Sequence, residues 1–212
     1  GIAEVIFHDL GAPQIRPIKD SKLNEDYWEK VFSAINGVDH TASLVLLTSY
    51  VSLELLKNMH EVKPLCDGKV EVFFQKASGA AATINAVSKF VNDYPQKPFI
   101  IFSLNWFGVN YTHKGITMIN RVIFPQLPFP ASKHATTSSA YTSRALWRMR
   151  QGIGRGLRNA GDKIIVEFID PRLEVPSGEG GDVVRKKFTK DVLSKLVTSD
   201  TDYCKNTDGK IE

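Results

Sequence analysis

The chain has 212 residues, is 42% hydrophobic, and carries 27 Lys and Arg against 23 Asp and Glu, a formal charge of +4. That apolar share builds the core of one compact domain and excludes a fibrous or disordered chain, while the modest positive balance suits phosphate-bearing partners without requiring them. No apolar run approaches the roughly 18 residues that span a bilayer, and Cys66 and Cys204 have neither a C-x-x-C partner nor a neighbouring histidine pair, so a disulfide framework and a thiolate metal site are excluded.

A reducing cytoplasm fits this cysteine usage best, and no signal-peptide or membrane segment is expected. The first residue is Gly1 rather than methionine, which leads us to expect a piece of a longer protein.

A short apolar run, "EVIF" at 4–7, comes first, followed by a Pro-, Gly- and charge-rich stretch over 11–24. "NEDYWEKVFSAI" then reads as a helix with Asn24 as N-cap and Trp28, Val31, Phe32 and Ile35 on one apolar face. From there strand and helix patterns alternate. "SLVLLT" at 43–48 precedes a helical "SLELLKNMH", and "VEVFF" at 70–74 precedes a helical "AATINAVSKFV". "FIIFS" at 99–103 and "INRVIF" at 119–124 follow, then a helix around 139–150 and the strand "KIIVEFI" at 163–169. Each strand candidate is continuously apolar rather than alternating, the pattern of strands covered on both faces in a parallel sheet. The expected fold is α/β, a parallel sheet with helices on both faces, in a single domain over 1–212 with its core at about 40–172. The tail holds a loop, "PSGEGGD", and a basic amphipathic helix over 182–197 whose Arg185, Lys186, Lys187 and Lys190 read as a solvated face or a border to DNA. In such sheets ligands sit beyond the carboxyl ends of the strands, which directs attention to the loops after 48, 74, 103, 124 and 169.

The densest concentration of chemistry is "QGIGRGLR" at 151–158, preceded by Arg144, Arg148 and Arg150. It is no dinucleotide fingerprint: Gly152 and Gly154 are followed by Leu157 where a third glycine is needed, and the preceding residues read as helix rather than strand. No G-x-x-x-x-G-K-[ST] occurs, so no phosphate-cradling loop of that kind is encoded. If 151–158 is helical, Gln151, Arg155 and Arg158 fall on one face, where two planar guanidiniums and an amide converge on a phosphate. Three glycines in a helix each cost about 1 kcal/mol relative to alanine, unless something must approach the backbone closely. The plainer reading of the cluster is a solvated basic face.

The surroundings decide between them. Gln151, Gly154, Arg155 and Arg158, followed by a strand and then Asp170 and Arg172, reproduce Q-x-x-G-R-x-x-R, strand, D-x-R, and the segment thereby resembles motif VI of the DinG/XPD-like branch of superfamily 2 DNA helicases. "LVLLTSY" at 44–50 is similar to that family's motif IV, "VFFQKASG" to its next strand, "FSLNWFGVNYTHKG" to its S-x-W-E-G-V-D-x-x-G, and "VIFPQLPFP" to its L-P-F-P segment, in family order.

The resemblance implies a RecA-like second motor domain that works with an N-terminal RecA-like domain carrying Walker A, with ATP and Mg2+ shared between the two and no metal site in this segment. On that basis Arg155 and Arg158 are the arginines that meet the transferred phosphoryl group, Gln151 positions or senses the nucleotide, and Gly154, Gly108 and Asn110 border it. Thr48, Ser49, Tyr50, Gln75, Trp106 and Arg148 are the candidates for contact with single-stranded or forked DNA. For Thr48, Ser49 and Tyr50 the plainer reading is a capped strand-to-helix turn, and for Trp106 a buried aromatic anchor.

Two departures stand out. The family's W-E-G-V-D is Trp106-Phe107-Gly108-Val109-Asn110 here, so both carboxylates that couple nucleotide to DNA in relatives are gone, and the segment between L-P-F-P and motif VI is short. Repair helicases and the divergent CRISPR-associated DinG-like helicases both remain open. A 5′ to 3′ motor that hydrolyses ATP only when joined to its other half is one reading; a degenerate, non-catalytic nucleic-acid-binding or scaffold module is the other.

Overall fold

The computed structural model describes residues 2–8, 17–20, 22–106, 110–129, 139–159 and 161–170. The expected C-terminal helix over 182–197, and with it Arg172, Phe107 and Gly108, lie outside the described residues.

In chain order the elements are β1 (Ile2–Phe7), a two-strand ribbon β2 (Ile18–Lys19) and β3 (Lys22–Leu23), α1 (Glu25–Asn36), β4 (Ala42–Leu46), α2 (Tyr50–Val62), β5 (Glu71–Phe74), α3 (Ala80–Asp93) and β6 (Phe99–Ser103). A second ribbon follows, β7 (Thr112–His113) and β8 (Ile116–Thr117), then β9 (Arg121–Phe124), α4 (Ser139–Ile153) and β10 (Lys163–Phe168). The ribbons escaped the sequence reading because strands of two residues carry no periodicity. The second turns at Lys114 and Gly115, with φ of 51° and 77°.

Six strands form one sheet in the order β1-β10-β9-β4-β6-β5, with every neighbouring pair parallel. Successive residues of each strand enter opposite layers. Val45, Leu47, Ile100, Phe102 and Ile123 pack under Trp28, Val31 and Ile35 of α1 and Leu53 and Leu56 of α2. Leu44, Leu46, Ile101, Val122, Phe124, Val166 and Phe168 pack under Val87 of α3 and Met149 and Ile153 of α4. Helices thus cover both faces, as continuously apolar strands require. The apolar face expected of α1 is the buried one, and Asn24 is its N-cap by backbone alone, without a side-chain capping bond. Ser49 caps α2, its hydroxyl accepting the Ser52 N–H at 3.2 Å.

The strands are not wholly apolar. Arg121 on β9 ion-pairs with Glu167 on β10, which also meets His8 beyond β1, all three drawn into the sheet's buried or half-buried surface. A buried charge is tolerated only when paired, and adjacent parallel strands bring these partners together although 46 or more positions separate Glu167 from each in sequence. Among the described residues no helix is long and apolar enough to cross a membrane.

Candidate functional site

The segment 151–158, weighed above as a helix, is helical only at its start. α4 closes at Ile153; the Gly154 N–H still donates to Arg150 O at 3.0 Å, but Arg155 N–H reaches Gly152 O and Gly156 N–H reaches Ile153 O, so the chain tightens into a turn over three-residue steps. Gln151 therefore stands on the last helical turn, Arg155 in the tight turn and Arg158 in the loop before β10. They still converge. Arg150, Gln151, Gly154, Arg155, Arg158 and Asn110 line one cleft of about 400 Å3.

The glycines explain how the cleft wall can lie so close to the sheet. A Cβ on Gly152 would stand 2.6 Å from Leu46 Cδ1 and 3.0 Å from Phe124 Cε1, and one on Gly156 would stand 2.7 Å from Ile164 Cδ1. What approaches the backbone at those two positions is the domain's own core. Gly154 is different: its missing Cβ would meet only backbone carbonyls, at 3.4 and 3.5 Å, so its effect is to leave bare backbone facing the cleft.

Among the described residues that line it none is acidic, and three are guanidiniums. Arg155 is 4% exposed. Burial lowers its pKa, the neighbouring Arg158 charge lowers it further and Tyr111 opposes both, yet a guanidinium starts so high that it stays charged. Arg158 is exposed, and its loop is braced by Asp162, whose Oδ2 accepts Arg158 N–H and Asn159 N–H at 2.7 Å each and the Thr117 hydroxyl at 3.2 Å. Partial desolvation opposes ionisation of Asp162, but these hydrogen bonds outweigh it and hold the carboxyl below its usual range. The arrangement selects an anion with several oxygens, such as a phosphate chain, and has amide donors from Gln151 and Asn110 to orient it. Among the described residues its donors are cations and amides, and no three His, Cys, Asp or Glu side chains gather there to hold a metal ion.

Arg150 was missed as a site residue. It stands four residues before Gly154, on the same helical face, and that spacing was the available signal.

The candidate nucleic-acid residues divide. Thr48, Ser49 and Tyr50 sit at the carboxyl end of β4, Tyr50 being 45% exposed. Thr48 donates its hydroxyl to Gln126 Oε1 at 2.8 Å. Gln75 is corrected: it is buried, and its Oε1 accepts from Ser103 Oγ, Leu104 N–H and Asn105 Nδ2 at 2.8, 2.8 and 3.1 Å, so it brackets two neighbouring strand ends rather than facing a ligand. Trp106 is corrected too. It is 5% exposed, donates its indole N–H to Leu47 O at 2.7 Å and stacks on Phe124, which leaves no face for a base. Arg148 is half-buried on α4 and lines no part of the cleft. Asn110 does line it, and is the one described lining residue that the strand-end loops supply.

Residues 32–187 match the profile of the helicase C-terminal domain. The chain belongs to that family. The match agrees with the DinG/XPD-like motifs, and the parallel sheet is the RecA-like fold of helicase C-terminal domains. No curated protein matches by sequence. Among solved structures, one described as an XPD helicase superposes with a TM-score of 0.63 at 12% identity over 98% of this chain and 35% of its own. An apo XPD structure gives 0.59 at 15% identity over 88% and 39%, and the C-terminal domain of the DEAD-box protein Dbp5 gives 0.50 at 12% identity over 98% and 91%. The helicase C-terminal domain thus spans about a third of the length of the XPD helicase that it resembles.

Proposed function

We propose that this domain is the second motor domain of an ATP-dependent DNA helicase, closing against an N-terminal RecA-like domain that binds ATP and Mg2+, and working in the cytoplasm. The observation that carries the reading is the convergence of Gln151, Arg155 and Arg158 with Asn110 on one cleft, with no acidic residue among its described lining, in a chain of the helicase C-terminal family.

In this reading Arg155, fixed under the cleft floor, and Arg158, on its braced loop, neutralise charge that develops on the transferred phosphoryl group; their geometry is set before the nucleotide arrives. Arg150 holds oxygens nearer the cleft mouth, and Gln151 and the Asn110 amide orient the chain of phosphates. The magnesium ion belongs to the opposite domain. Closure and reopening around each ATP then alternate the grip on single-stranded DNA, with 5′ to 3′ polarity by family resemblance.

The test is single-stranded-DNA-stimulated ATP hydrolysis by the two-domain protein. Arg155→Ala is expected to lower turnover by about 10³-fold or more while leaving the domain folded. Unchanged turnover removes the arginines from the chemistry. DNA binding without turnover in the unaltered protein instead favours a non-catalytic module, the outcome that Asn110 in place of a carboxylate permits.

A further inference from the structure

Gln126, immediately beyond β9, belongs to none of the assignments above. Its neighbours are pinned on both sides: the buried Tyr27 hydroxyl donates to Pro125 O, and the Leu127 N–H donates to the buried Asp170 carboxylate at 2.8 Å. Pro125 and Leu127 are buried while Gln126 between them is half-exposed. A rigid loop therefore displays one amide at the carboxyl edge of the sheet. Because β9 lies beside β4, that amide stands next to Thr48, which donates its hydroxyl to Gln126 Oε1 at 2.8 Å.

The direction of this bond matters. A threonine hydroxyl has one proton, and here it is committed to the glutamine oxygen, so Thr48 has none left to give a phosphate. The glutamine, its oxygen anchored, keeps two N–H donors on Nε2, and no described residue accepts from them. We propose that Gln126, rather than Thr48, is the hydrogen-bond donor that grips a backbone phosphate of a single-stranded nucleic acid at this sheet edge. The inference rests on the nucleic-acid half of the proposed function and not on the arginine cleft. Asp170 then acquires a role: it holds the loop that presents Gln126.

The 212-residue chain is titrated against fluorescent oligo-dT and oligo-U of about 20 nucleotides, longer than the roughly 4–16 nucleotides that single-strand-binding folds cover. Gln126→Glu still accepts from Thr48 but turns the donor into an anion; it is expected to weaken binding about tenfold or more on both oligonucleotides. Gln126→Lys restores a donor and is expected to bind at least as tightly as the unaltered chain. Thr48→Val, which removes only the anchor, is expected to weaken binding by no more than about threefold. Equal binding by Gln126→Glu overturns the proposal. So does a larger loss from Thr48→Val than from Gln126→Glu, which makes the hydroxyl the contact, and so does an equal loss in Gln126→Glu and Gln126→Lys, which makes Gln126 structural. Loss confined to one sugar type overturns a phosphate contact. If the unaltered chain binds neither oligonucleotide, the nucleic-acid half of the proposed function falls first, and Gln126 with it.

Discussion

Replacing Gly152 by alanine sets two known effects against each other. In the last turn of α4 the substitution removes a glycine's excess backbone entropy, a gain of up to about 1 kcal/mol. The new methyl, however, would stand 2.6 Å from Leu46 Cδ1 and 3.0 and 3.2 Å from the Phe124 ring. Leu46 and Phe124 are both fully buried, and the Phe124 ring is stacked between Trp106 at 5.5 Å and Phe168 at 5.0 Å, so it cannot swing aside. Overpacking a core of this kind costs about 1–3 kcal/mol, which exceeds the gain. The expected net loss is about 1–2 kcal/mol, or a melting temperature lower by roughly 2–8 °C for a domain of this size. Gly154→Ala is the control: its methyl meets nothing closer than 3.4 Å, so the melting temperature should hold or rise slightly. Thermal melts and urea midpoints of the two variants decide the matter. A Gly152→Ala chain that melts at or above the unaltered protein refutes the claim that the sheet itself dictates this glycine.

Gln75→Ala should cost about 1–3 kcal/mol for each donor left buried without its acceptor, chiefly Ser103 Oγ and Leu104 N–H, and a shift in urea midpoint of much less than that would show the bracket to be dispensable. Asp162→Asn should slow ATP turnover of the two-domain protein by loosening the Arg158 loop; in an Arg158→Ala background it should add little, and additive losses would mean that Asp162 acts elsewhere. His40 is buried, with Nε2–H donating to Ile35 O and Nδ1 accepting from Ser43, and burial lowers its pKa despite the opposing carbonyl bond. The unfolded chain therefore takes up this proton first: stability is fully present above the unfolded value of 6.5 and is lost as pH falls from there through the lower folded value. Urea midpoints at about pH 7.5 and pH 5 should differ less in His40→Gln than in the unaltered chain, and an unchanged difference would exclude His40 as a contributor.

The fold was legible because its cause is local. An apolar run such as Phe99, Ile100, Ile101 and Phe102, all four buried, has no polar face to offer water, and only a sheet covered on both sides accepts it. The apolar face of α1 was legible for the same reason. Arg121 and Glu167 were not, because the property that lets each enter the sheet is the other's presence on the adjacent strand, and strand order is written nowhere in the local pattern.

The same distinction separates what was readable in the site from what was not. Gln151, Arg155 and Arg158 meet in one cleft even though the helix assumed to align them stops at Ile153, because the turn that replaces it keeps the three side chains on one side. Spacing within eight residues survives a local change of conformation. Trp106 and Gln75 sit in loops, where aromatic and amide side chains read as ligand contacts, but their partners Leu47, Ser103 and Leu104 arrive from neighbouring strands and consume the polar groups on offer. Thr48 shows the subtler case: its place at the strand end was read correctly, and only the direction of one hydrogen bond moves the free donor from it to Gln126, 78 positions along the chain. In each instance the residue type states what a side chain is able to do, and the sheet order determines which of its hydrogen bonds are already taken.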